Sequence, residues 1–178
     1  MDVYEAIVKR STVYSFLDKP VKEELLVKLL DAARISPAAG GIHEYEFIIV
    51  SKPANKTEIS KICLTPNIDS APYIIVVICD PEKLKAVFGL DGEEVFCVEN
   101  VSLAIENLLL AATNEGLGSA WIATIKQEPV KKLLGIPDKY IVRGVIPLGY
   151  PVENPPRKPP LLPRLSEMTH VESFNNEA

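Results

Sequence analysis

Metal ligands are scarce in this sequence. Its three cysteines, Cys63, Cys79 and Cys97, form no Cys-x-x-Cys pair, and only His43 and His170 stand beside them. That argues against a structural zinc site, and no other metal is expected. An odd, widely spaced set of thiols in 178 residues also argues against a disulfide framework and fits a reducing compartment. Basic charge is short as well. Nineteen Lys and Arg against twenty-four Asp and Glu leave −5, whereas phosphate backbones attract a basic footprint. The greasiest stretch, 101–112, is interrupted by Glu106 and Asn107 and falls short of the ~20 residues of a membrane span. The first ten residues carry Asp2 and Glu5 and no signal-peptide core. The expectation is a soluble cytoplasmic protein with no nucleic-acid or membrane partner. Common catalytic signatures are missing too: no Gly-x-Ser-x-Gly, no His-Glu-x-x-His and no Gly-Lys-Thr loop.

What is present is a patterned chain, 47% apolar, of a length that suits one domain at ~150 residues per domain. Val3, Ala6 and Ile7 mark a short opening helix that ends near Arg10. Leu25, Leu26, Leu29, Leu30 and Ala33 repeat at the helical period over 22–35. Continuous β-branched runs at 45–50 and 73–79 predict buried strands, with helices at 57–62 and 82–88 between and after them. Asp91 to Glu94 form an acidic turn before the longest helix, 95–115. There Val98, Val101, Ala104, Ile105, Leu108, Leu109 and Ala112 make one stripe, while Leu103, Leu110 and Ala111 lie opposite. A helix apolar nearly all round is covered on two sides, and one cover is open to being a second subunit. Gly116-Leu117-Gly118 follows a helix rather than a strand, so it predicts a helix C-cap and not a dinucleotide turn. Strands are expected at 120–125 and 141–148, with a helix at 129–134.

Beyond residue 150 the character changes. Six of the thirteen residues 151–163 are proline, which excludes helix. A disordered tail is one reading. Leu161, Leu162, Leu165, Met168 and Val171 favour the other, an arm laid along a partner subunit. The organisation expected is therefore a domain at 1–150 with its arm at 151–178.

Three groups could carry chemistry. Arg10, Ser11 and Thr12 put a guanidinium and two hydroxyls at a helix end, a donor set suited to a phosphate or a plain solvated terminus. Pro37, Ala38, Ala39, Gly40 and Gly41 offer small side chains and exposed amides, a rest for a flat ring or an ordinary interhelical loop. Arg164 is either a surface charge or a second anion clamp, and His43 either lines a substrate opening or is simply exposed.

In order, these segments resemble the nitroreductase family of FMN-dependent oxidoreductases. The resemblance runs through Arg10-Ser11-Thr12-Val13-Tyr14-Ser15-Phe16 and Pro20-Val21, Ala33 to Gly41 with its following strand, and Ser70-Ala71-Pro72. It continues through Leu110-Ala111-Ala112, Gly116 to Trp121, Leu134-Gly135-Ile136-Pro137 and Leu148-Gly149-Tyr150-Pro151. Tyr14, Ala38, Gly41 and His43-Glu44-Tyr45 depart from the family's usual residues. The resemblance implies an α+β fold with a central mixed sheet flanked by helices, forming an intertwined homodimer with an extended C-terminal arm. It implies FMN bound between subunits, with Arg10, Ser11, Thr12 and Arg164 at the phosphate and pyrimidine side. Pro37, Ala38, Ala39, Gly40 and Gly41 of the other subunit would cover the ring, and Ala123 and Thr124 would bring a backbone amide to it. His43 would line the substrate opening. The implied reaction is hydride transfer from NAD(P)H through FMN to a nitroaromatic, a quinone or free flavin, with no catalytic side chain required. A flavin-binding or flavin-processing homodimer without nitroreductase activity is the alternative.

Overall fold

The structure, a computed structural model, describes residues 1–152 and 162–174. A four-stranded sheet in the order β1-β2-β4-β3 forms its centre, built from β1 (Tyr45–Val50), β2 (Tyr73–Cys79), β3 (Gly118–Ser119) and β4 (Ile141–Gly149). All named strands pair antiparallel. The parallel component of the mixed sheet expected is a single bridge, Thr12 to Ser119.

β2 sits between two neighbours and under two layers, and its side chains divide by the two-residue period of a strand. Ile75, Val77 and Cys79 enter one core with α2 (Glu23–Arg34) and α5 (Cys97–Asn114). Ile74, Val76 and Ile78 enter a second core with Ile59 of α3 (Pro53–Ile62) and Val130 of α6 (Gln127–Leu134). Burying each such side chain contributes roughly 1.5–3 kcal/mol. β1 differs from expectation. It is an edge strand in which only Tyr45 and Val50 are buried, and among the described residues no strand pairs with its far edge.

The short helices begin where local chemistry satisfies free amides. In α1 (Val3–Lys9), Asp2 accepts the Glu5 N–H at 2.8 Å and Glu5 accepts the Asp2 N–H at 3.3 Å, a reciprocal cap. Proline opens both α3 and α4 (Pro81–Phe88), where its missing N–H costs nothing. A wide π-type turn over Gly92–Phe96 leads into α5, so the acidic turn expected there is already helical. The combined segment, Gly92–Asn114, is 23 residues long and apolar enough by length and composition to cross a membrane. That corrects the shorter estimate from sequence. Part of that apolar surface is packed inside the protein, where Val101, Ala104, Ile105, Leu108, Leu109 and Ala112 all lie in the core shared with α2 and the sheet. Val98 does not belong to that buried stripe; it is exposed. Gly116, at φ 72, ends α5 in the left-handed turn predicted from sequence.

The strand expected over 120–125 shrinks to β3 plus one bridge, Ile122 to Val145. In its place the segment after Arg10 runs along the sheet. Val13 N–H donates to the Ser119 carbonyl at 3.0 Å, and Leu17 N–H to that of Tyr150 at 2.8 Å. Of the arm, Leu161 lies outside the described residues, and Leu162, Leu165, Met168 and Val171 are exposed.

Candidate functional site

α1 ends at Lys9, and Arg10 leaves the helix with its N–H still bonded to the Ala6 carbonyl at 2.8 Å. Arg10 is half-buried, and among the described residues no carboxylate pairs with it. Ser11, next to it, lines a cavity of about 620 Å³ whose walls include Lys9, Val13, Thr113 and Pro151. Thr12 is exposed and held through its backbone bridge to Ser119. Tethering the 12–17 segment to the sheet fixes the stretch of three phosphate-type donors, of which Ser11 lines the cavity.

The loop after α2 is shaped by two buried polar joints. Ala39–Gly41 make a single tight turn, in which Gly40 has φ 58. A Cβ there would also approach the Phe88 ring to 3.0 Å, so a side chain is disfavoured twice. The first joint is Asn100 of α5. Its Oδ1 accepts the Ala39 N–H at 2.9 Å, while its Nδ2 donates to the Ile42 carbonyl at 3.2 Å and to Glu44 Oε2 at 2.9 Å. Glu44 is fully buried.

The second joint is the Tyr45 hydroxyl, which donates to the Ala33 carbonyl at 3.2 Å. It lies 2.9 Å from both Ser36 Oγ and His43 Nδ1. With its one proton committed to Ala33, its oxygen is left to accept from these two neighbours. Burial pushes the Tyr45 hydroxyl above the usual phenol range, against the opposing bond from Ser36, so it stays protonated. His43 itself is exposed at the end of the loop.

The remaining residues singled out from sequence lie elsewhere. Ala123 and Thr124 are exposed between Ile122 and α6. Ala123 lines a smaller cavity of about 230 Å³ with Val101, Trp121, Gln127 and Arg143. Arg164 is exposed, and its Nε donates to Glu167 Oε1 at 2.8 Å. Pro37, Ala38, Ala39, Gly40 and Gly41 line neither cavity. Thus Ser11 opens on the larger cavity and Ala123 on the smaller, while Arg10, Thr12, the 37–41 loop, Thr124 and Arg164 line neither. Sequence reasoning missed Asn100 and Glu44. The available signal was a lone Asn on the core stripe of α5, between Cys97 and Ala104.

The sequence model of the Nitroreductase family matches residues 7–72 and 63–150. The chain belongs to the nitroreductase family. A relative from Methanothermobacter thermautotrophicus, named for NADH dehydrogenase/NAD(P)H nitroreductase, is 37% identical over 160 residues, covering 87% of this chain and 80% of its own. The FMN reductase [NAD(P)H] of Bacillus subtilis is 25% identical over 193 residues, covering 99% of this chain and 76% of its own. Among solved structures, an NADH dehydrogenase/NAD(P)H nitroreductase from Parabacteroides distasonis superposes with a TM-score of 0.81 at 27% identity, over 97% of this chain and 98% of that one. The α+β arrangement with its antiparallel sheet is the nitroreductase fold.

Proposed function

We propose that this nitroreductase-family chain is an FMN-dependent oxidoreductase. It passes reducing equivalents from NAD(P)H to a small oxidant, a nitroaromatic, a quinone or free flavin, and acts as a cytoplasmic homodimer. The observation that carries the reading is Arg10, a half-buried cation with no carboxylate partner among the described residues, next to a hydroxyl that opens on a cavity of about 620 Å³. That volume falls in the range of small-molecule sites, ~300–1,000 Å³. The donor set fits a flavin mononucleotide. A guanidinium and two hydroxyls suit its phosphate, and the loop of 37–41 presents a face without bulky side chains; a Cβ at Gly41 would meet nothing within 4 Å.

When bound, FMN supplies the two-electron chemistry. The chain's own residues do the rest. Arg10, Ser11 and Thr12 hold the phosphate, and Asn100 keeps the Pro37-to-Gly41 turn in the shape that covers a ring. Ala123 and Thr124 present backbone amides, favouring negative charge where water is excluded. His43, tied through Nδ1 to the Tyr45 hydroxyl, meets a substrate at the loop's edge. Arg164 joins the phosphate by exchanging Glu167 for it. The dimer is supported by uncovered apolar side chains: Val3 and Tyr4 on α1, Val98 and Leu103 on α5, and Leu162, Leu165 and Met168 on the arm.

The test is optical. The purified protein should bind FMN, and NAD(P)H should bleach the bound flavin without oxygen, with colour restored by a quinone or nitroaromatic. Flavin that binds but does not bleach favours the flavin-binding alternative, and no binding overturns both. A charged hydrogen bond contributes roughly 1.5–3 kcal/mol, so Arg10→Ala should weaken FMN about ten- to a hundredfold in a fluorescence titration. Unchanged affinity would place the phosphate elsewhere.

A further inference from the structure

Cys79 at the end of β2 and Cys97 at the start of α5 are both fully buried free thiols, and their sulfurs lie 2.8 Å apart. A covalent S–S bond is ~2.05 Å, so little movement separates the pair from a disulfide. A cation stands against them. Arg143 Nε lies 3.5 Å from Cys79 Sγ, and among the described residues no carboxylate pairs with that guanidinium.

Arg143 reaches the sulfur because β4 is irregular there. Val77 pairs with Gly144 but Ile78 pairs with Val142, which leaves Arg143 as the extra residue of a bulge. Bulges re-aim side chains. Here Gly144 already faces α5, since a Cβ on it would meet Ile105, and the bulge turns Arg143 to the same side, where Cys79 lies. Trp121 Nε1 donates to the Arg143 carbonyl at 3.2 Å and holds the bulge in place. Arg143 also lines the cavity of about 230 Å³, so a small solute entering it meets the side chain that touches the thiol.

We infer that Cys79 and Cys97 form an oxidisable dithiol, with Cys79 as the attacking sulfur and a small hydroperoxide such as hydrogen peroxide as the oxidant. The hydrogen bond from Cys97 and the guanidinium lower the Cys79 thiol below the usual range despite burial, while Cys97 is raised and keeps its proton. The Cys79 thiolate attacks one peroxide oxygen. The O–O bond breaks, hydroxide leaves and becomes water on protonation, and Cys79 becomes a sulfenic acid. Cys97 sulfur then attacks Cys79 sulfur; the S–S bond forms, the S–O bond breaks, and the departing hydroxide takes the Cys97 proton. Two thiols lose two electrons and peroxide is reduced to two waters. The inference is independent of the flavin reading. Cys97 lies one helical turn before Asn100, so the link would fasten the end of β2 to the helix that holds the 37–41 turn.

The test uses the purified full-length protein. After hydrogen peroxide and denaturing alkylation, its intact mass should show loss of two hydrogens, a link mapping to Cys79 and Cys97, and Cys63 still alkylated. Burial pushes the lone Cys63 thiol up to about 11, which makes it an internal control. Three alkylated thiols, or a link through Cys63, would overturn the inference. With Cys97→Ser the reaction should stop at a Cys79 sulfenic acid trapped by dimedone. With Cys79→Ser, trapping at Cys97 should be roughly tenfold slower or more, because the Arg143 guanidinium reaches Cys79 and Cys97 stays buried. Equal trapping in the two variants would remove Cys79 as the attacking sulfur.

Discussion

β2 and α1 are each seven residues long and rich in apolar side chains, yet they meet opposite surroundings. In β2 every residue but Tyr73 is buried, whereas in α1 only Ala6 is. β2 has a strand on both edges and a helical layer on both faces. α1 has α5 on one side, and Val3 and Tyr4 stay exposed among the described residues. The difference teaches that an apolar pattern announces a cover without saying which chain supplies it.

The comparison breaks most sharply at β2. Ile75→Ala should cost about 2–5 kcal/mol, read as a fall in the urea midpoint, because its cavity lies between two packed layers. A loss under about 1 kcal/mol would mean that the sheet centre is looser than its burial indicates. Second comes the joint between the two kinds of surroundings. Asn100→Ala strips a partner from the Ala39 N–H and from buried Glu44, and should cost about 1–3 kcal/mol. Binding of FMN should weaken alongside stability, and unchanged binding would dissociate the 37–41 turn from the flavin.

On α1 the expected effect on the isolated fold is smaller still. A Val3→Ser, Tyr4→Ser double variant should shift protomer stability by no more than about 0.5 kcal/mol per site. Light scattering should nonetheless show loss of the dimer; an intact dimer would mean that another surface forms the interface.

The smallest effect belongs to a solvent-facing ion pair. Lys28 Nζ lies 2.7 Å from Glu115 Oε1 and holds that carboxyl below its usual range. Since the folded value is the lower one, the pair's stabilisation is present above ~4.3, the unfolded Glu value, and disappears as pH falls through the folded value. Partial exposure limits it to under about 1 kcal/mol. Comparing wild type with Lys28→Met in urea at neutral and acidic pH should show a difference only at neutral pH.

Local elements were legible where one rule dominated. β1 and β2 begin and end where their β-branched runs do, and α2 follows its leucine spacing to within a residue at each end. The 120–125 segment was misread because Ile122 and Ile125 have strand-like composition, while the neighbouring place is taken by the chain at 12–17. The family was legible as residue types in order, from Arg10 to Pro151. The polar joints of the loop were not, since Asn100 and Ala39 lie 61 residues apart. Likewise, three scattered cysteines carried no hint that two of them touch.

By itself, then, the sequence determined the elements, the family and the small set of donors near α1, because periodicity, turn chemistry and residue type act over a few neighbouring positions. Only the tertiary structure decided that β1 is an edge, that Asn100 clamps the loop and that a bulge at Arg143 carries a cation to Cys79. Those features depend on which distant segments share a layer, and a one-residue slip in register would turn every side chain of a strand to the other face.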